Sequence, residues 1–158
     1  MKETHLERLR EQIEKEPFAD HMGIRLREIA PGYAVVEARL SEKMNSIHGL
    51  THGGAISALV DAAAGAAANS HGMVALALNM TITYIQPPET DALLVAEAKE
   101  ESQSKHTATY HIEVLQKNEN ETRKIAVCQA LAYIQGDLLP FLNHVNNEPF
   151  GGEGQEEK

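Results

Sequence analysis

The sequence predicts an α+β fold in which a curved, largely antiparallel sheet wraps around one long central helix. Three observations lead there. Only the segment from Gly53 to Gly72 is Ala-rich and long enough for a substantial helix. Six other segments carry strand signals, most of them alternating apolar and polar residues with a period of two. One helix can cover only one face of such a sheet, which makes the arrangement two-layered. With 158 residues and 42% hydrophobic content, the chain has room for one domain with a real core and none for a second.

Taken in order, Leu6, Leu9 and Ile13 recur at helical spacing among charged residues over positions 4–16, and Pro17 ends the run. This is a short amphipathic helix that packs by one edge. Ile24 to Ile29, the Pro31-Gly32 turn and Tyr33 to Leu40 form a hairpin, with Ala34, Val36, Ala38 and Leu40 alternating against Val35, Glu37 and Arg39. The polar loop SEKMNSIHGLTH leads into the central helix, GGAISALVDAAAGAAANSHG, which stops at His71-Gly72. Its run of small residues from Ala62 to Ala68 lets a strongly curved sheet close around the helix backbone.

Four strands follow: Met73 to Ile85, closed by Pro87-Pro88; Ala92 to Glu100; Thr107 to Gln116; and Lys124 to Gln135. In the first of these the alternation puts Leu76, Leu78, Met80, Ile82 and Tyr84 on one face and Ala75, Ala77, Asn79, Thr81 and Thr83 on the other. KNENETR is a hairpin connection between the last two. The folded domain is assigned to residues 1–136. Residues 137–158, rich in Asn, Glu and Gly, are expected to form a flexible tail.

Composition narrows the function. Lys and Arg total 14 against 23 Asp and Glu, and a net charge of −9 repels a polyanion, so no nucleic-acid partner is expected. Cys128 is the only cysteine, which excludes an internal disulfide and a Cys-based zinc cluster and suits a reducing compartment. It reads as a buried small hydrophobe in a strand. The N-terminus lacks the apolar core of a secretory signal, and the stretch from Gly53 to Ala68 is too short to span a bilayer and is interrupted by Asp61. A cytoplasmic protein without a membrane role is expected.

Asp61 lies eight residues beyond Gly53, too far along the helix to stabilise its N-terminal dipole, and its neighbours are Leu59, Val60 and Ala. Most helical Asp residues sit on a solvent-facing stripe, but polar residues are nearly absent from Ala55 to Ala68. Wrapped by a sheet, Asp61 would be desolvated, its pKa would rise, and it would become a candidate base or nucleophile. His52-Gly53-Gly54 opens the same helix, where backbone N–H groups lack internal acceptors and two glycines allow a substrate carbonyl to approach. A Gly-Gly pair alone is equally the mark of a flexible loop end. His48 and His52 have the i, i+4 spacing of half a zinc site. Gly49 occupies the place of the HExxH glutamate, and no metal is expected. No G-x-S-x-G elbow and no phosphate-cradling G-x-x-x-x-G-K motif is present.

The run HGLTHGGAISALVDAAAGAAANSHG resembles the signature of hotdog-fold acyl-CoA thioesterases of the phenylacetic-acid-degradation type, in which H-G-G starts the central helix and an acid follows eight residues after the first glycine. The likeness extends over nearly the whole chain to Gln135 and includes PFADHMGIRLREIAPGYAVV, NMTITYIQP and SKHTATYHIEV. It implies hydrolysis of an acyl-CoA thioester: Gly53 N–H polarises the carbonyl, Asp61 activates water or attacks directly, and His52 supports the site. The family usually has Asn six residues before the motif His, where this chain has Ser46 and Asn45 one position earlier. Either the loop has an extra residue and Asn45 reaches the site, or Ser46 takes that place. Asn45 is the preferred candidate.

The reading needs no cofactor. Gly54, Lys105 and His106 are candidate substrate-binding residues, and Arg123 with Lys124 is a second pair of cations for the CoA phosphates; ordinary solvated hairpin charges would look the same. A hotdog dehydratase and a non-catalytic acyl-CoA-binding protein share the expected fold. A homo-oligomer, a dimer or a dimer of dimers, is expected because one wrapped sheet leaves strand edges and an apolar face unpaired.

Overall fold

A computed structural model describes residues 4–146 of the chain. The first helix, α1 (His5–Glu14), starts with a capping box in which the Glu7 N–H donates to the Thr4 hydroxyl and the Thr4 N–H donates to the Glu7 carboxylate. Pro17 ends that run and also begins a second helix, α2 (Pro17–Met22), that the sequence reading did not anticipate. A proline's fixed φ and missing N–H suit the first helical position as well as they stop a helix. Gly23, at φ 70°, closes α2 in the left-handed conformation.

The strands are β1 (Arg25–Ala30), β2 (Tyr33–Arg39), β3 (Met73–Tyr84), β4 (Leu93–Gln103), β5 (Thr107–Lys117) and β6 (Thr122–Leu138), with the central helix α3 (Gly53–Asn69) between β2 and β3. They form one sheet in the order β1-β2-β4-β5-β6-β3, and every neighbouring pair is antiparallel. The boundary drawn after Gly136 falls inside β6, and a 3₁₀ helix follows at Pro140–Asn146. The remainder of the segment expected to be flexible, residues 147–158, lies outside the described residues.

α3 lies on the concave face. Leu59, Val60, Ala63 and Ala67 are fully buried on the helix, and so are Ala34 and Val36 of β2 and Ala96 and Ala98 of β4. Small residues on both sides bring the two backbones close, which maximises dispersion contacts in a core with few aromatics. Tyr110 and Ile112 of β5 are buried in the same core.

The faces of β3 differ from the strict alternation expected. Directly paired residues on antiparallel strands share a face. Ala75 and Ala77 pair with the buried Ile134 and Ala132, and after a shift in register Met80, Ile82 and Tyr84 pair with the buried Ala130, Cys128 and Ala126. Leu78 is the extra residue of a β-bulge, which reverses the parity of everything beyond it. Ala75 and Ala77 therefore share the helix-facing side with Met80, Ile82 and Tyr84. β3 is also an edge strand, and its Leu76 and Leu78 are exposed in the single chain.

Candidate active site

The start of α3 is held by its own side chains. His52 is the N-cap with an extended backbone, and its ring Nδ1 accepts the Gly54 N–H at 2.8 Å. An accepting Nδ1 fixes the ring proton on Nε2. The Ala55 and Ile56 N–H groups donate to the His52 carbonyl at 3.0 and 3.4 Å. Among the described residues the Gly53 N–H has no acceptor, so it is the free donor of this turn. Removing the cap by His52→Ala should lower the free energy of unfolding by about 1 kcal/mol in urea titrations. Unchanged stability would mean that the ring bond contributes nothing.

Two residues not singled out from the sequence complete this end. The Gly53 carbonyl accepts from the Ser57 hydroxyl at 2.9 Å and from the Tyr84 hydroxyl at 3.1 Å, and the two hydroxyls are 2.6 Å apart. A methyl group on Gly53 would sit 3.3 Å from Tyr84 Cζ, and one on Gly54 would sit 2.9 Å from His52 Nδ1. Ser57 is one helical turn from Gly53, a spacing that could have revealed it. Tyr84 reaches the site only through the fold.

Asn45 and Ser46 approach from opposite sides. Asn45 lines a cavity of about 340 Å³ with Phe18, Met22, Lys43, His52 and Gly54. Its Nδ2 donates to the Gly49 carbonyl at 3.2 Å, and its buried Oδ1 has no partner among the described residues. Ser46 lines a second cavity, of about 370 Å³, with Thr51, Gly53, Ile56 and Tyr84.

Asp61 belongs to a third cavity, of about 350 Å³, bounded mainly by apolar residues such as Leu9, Ile13, Leu76 and Ala77, with Glu16 and Asn69 as the other polar side chains of its lining. It is not enclosed within one chain as the wrapped-helix argument expected. The sheet covers the opposite side of α3 and leaves Gly54, Asp61 and Gly65 exposed along one stripe. The apolar walls nevertheless desolvate its carboxyl and raise its pKa, and it has no ion pair or hydrogen bond among the described residues.

Lys105 and His106 lie in the turn between β4 and β5. The His106 ring stacks on Tyr133 with centroids 6.4 Å apart, and Tyr133 pairs with Leu76, so this pair is level with the Asp61 end of β3 but on the face of the sheet turned away from α3. At the other end Arg123 donates to Gln86 at 2.8 Å and pairs with Glu89 at 3.5 Å, while Lys124 pairs with Glu113 at 2.6 Å. His48 is exposed in the loop before α3, and among the described residues no three His, Cys, Asp or Glu side chains converge.

Residues 48–122 match the model of the thioesterase superfamily. A relative from Archaeoglobus fulgidus described as a putative esterase is 35% identical over 140 residues, covering 88% of this chain and 89% of that one. The chain belongs to the thioesterase superfamily. The acyl-coenzyme A thioesterase PaaI of Escherichia coli is 33% identical to it over 102 residues, 65% of this chain and 73% of the relative. The solved structure of the Escherichia coli PaaI protein, from the phenylacetic acid degradation operon, matches it with a TM-score of 0.76 at 28% identity over 81% of this chain and 91% of that one. This thioesterase therefore has the hotdog fold that its motifs imply. No helix among its described residues is long and apolar enough to cross a membrane.

Proposed function

We propose that this thioesterase hydrolyses acyl-CoA to the free acid and CoA at sites shared between two subunits. The observation that carries the proposal is that one helix presents a free N–H at its start and an unpaired, desolvated carboxyl eight residues on. At about 1.5 Å per residue the two are about 12 Å apart along the axis. A donor and a base must each come within about 3 Å of the reacting group, so one chain cannot supply both. The exposed stripe of Gly54, Asp61 and Gly65 and the open β3 edge are the surfaces by which a second copy can bring its Asp61 to this Gly53.

In the reaction, the thioester carbonyl oxygen accepts the Gly53 N–H, and the negative charge that develops there is held by the helix start. Asp61 of the partner subunit takes a proton from water, whose oxygen attacks the carbonyl carbon, or attacks that carbon itself. Collapse of the tetrahedral intermediate expels the CoA thiolate, and the proton held by Asp61 passes to it or to solvent; where Asp61 has attacked directly, water then cleaves the acyl-aspartyl anhydride to the free acid and restores the carboxylate. His52 offers its Nε2–H beside the donor, Asn45 and Gly54 shape the adjoining wall, and Lys105 and His106 lie at the acid end as contacts for CoA. No cofactor takes part. The assembly is a dimer or a dimer of dimers, working in the cytoplasm.

The test is CoA release, followed by thiol trapping, over a panel of aliphatic and aryl acyl-CoAs including phenylacetyl-CoA, with dehydration of hydroxyacyl-CoA assayed in parallel. Release of CoA from at least one acyl-CoA is expected. Dehydration without CoA release would replace the proposal with a dehydratase, and binding without turnover would replace it with an acyl-CoA-binding protein.

A further inference from the structure

We infer that Tyr84 and Ser57 are positioning residues that set the tautomer of His52 and the aim of the Gly53 N–H, acting through the Gly53–Gly54 peptide. The kinetic consequence rests on the hydrolytic reading above. The structural consequence does not.

Three short contacts join the Ser57 hydroxyl, the Tyr84 hydroxyl and the Gly53 carbonyl, at 2.9, 3.1 and 2.6 Å. Two hydroxyls carry only two protons. If Ser57 gives its proton to Tyr84, Tyr84 gives its own to the carbonyl; in the reverse order Ser57 makes the final bond. Either way one hydroxyl proton, strengthened by the other, reaches the Gly53 oxygen in addition to the helix bond from the Ser57 N–H.

That oxygen and the Gly54 N–H are the two ends of one peptide group. Pulling electron density toward the oxygen makes the Gly54 N–H a better donor, and its acceptor is His52 Nδ1 at 2.8 Å. The chain thus runs from the hydroxyl pair through the peptide to the imidazole, and it holds the ring with its proton on Nε2. The Gly53 N–H belongs to the preceding peptide. Its direction is fixed because the peptide after it is held at both ends, and a preorganised donor is what stabilises a developing oxyanion. The Tyr84 ring stands where a side chain on Gly53 would have to go, 3.3 Å from the place of an added Cβ, and limits the remaining freedom.

Redundancy follows and can be measured. Tyr84→Phe keeps the ring and leaves the Ser57 proton for the carbonyl, and Ser57→Ala leaves the Tyr84 proton. Each single variant should retain kcat within about twofold, and the double variant should lose about tenfold with KM within about twofold, a departure from additivity. Long-range proton–nitrogen correlation on ¹⁵N-His protein, with His52 assigned by difference from His52→Ala, should show the Nε2–H tautomer in the wild type and single variants and a mixture of tautomers in the double variant. A double variant with the wild-type His52 spectrum would overturn the inference. So would single variants whose losses multiply to that of the double, since two independent contacts would then be at work. If the wild type releases no CoA from any acyl-CoA, the hydrolytic reading fails alone and the His52 spectrum still decides the inference.

Discussion

Asp61→Asn should lower kcat by about a thousandfold and leave KM nearly unchanged, within the range of about 10² to 10⁴ expected when a positioned base is lost. The substitution keeps shape and removes basicity. Asp61 has no partner among the described residues to be left unsatisfied, so the loss would report on chemistry rather than on packing. Turnover within a few-fold of wild type would remove Asp61 from the mechanism.

The same variant should be at least as stable as the wild type at neutral pH. Desolvation raises the Asp61 pKa in the folded chain above its unfolded value, so between the two values the folded state binds more protons. Stability therefore falls as pH rises through that window and stays lower above it. Asparagine cannot ionise, so the variant should lack that fall, and the two proteins should converge below the window. A wild type that gains stability relative to Asp61→Asn as pH rises would reverse the sign and indicate a cation beside the carboxylate.

Mixing Asp61→Ala with Gly53→Pro should restore activity that neither has alone. Gly53→Pro deletes one N–H with little damage elsewhere: proline suits the first helical position, and His52, at φ −65° and ψ 135°, already has the extended backbone that a following proline demands. The nearest obstacle is Tyr84 Cζ at 3.3 Å from the added Cβ. In a mixed dimer with shared sites, one site collects both lesions and the other has none. Random re-pairing makes about half of the dimers mixed, so activity should recover to about a quarter of wild type. Mass spectrometry confirms that mixed dimers form. Their presence without recovered activity would place each complete site within a single chain.

Much of this was legible in the sequence because local rules and tertiary structure agree there. The Ala-rich segment is a helix beginning at Gly53, and the Pro31-Gly32 turn separates β1 from β2, as composition and turn chemistry require. The sequence was less informative where one residue has two meanings or where the decisive contact is non-local. Pro17 stops one helix and starts another. Leu78 is invisible as a bulge because the pattern on each side of it alternates perfectly. Asp61 looked enclosed because its neighbours are apolar, yet those neighbours leave its stripe of the helix open. The free Gly53 N–H could be expected from the motif. The hydroxyl pair behind it could not, since Tyr84 is 31 residues away.

The bulge at Leu78 has a wider consequence for how such a chain can change over time. Because parity reverses there, the half of β3 beside Asp61 and the half beside Gly53 obey opposite rules for which positions must stay apolar. Substitutions that enlarge or shrink the pocket near the acid need not disturb the seating of Tyr84 at the donor, and the reverse holds. One strand thus serves as two separate modules, and the pocket beside the acid can change shape without unseating the hydroxyl that holds the donor.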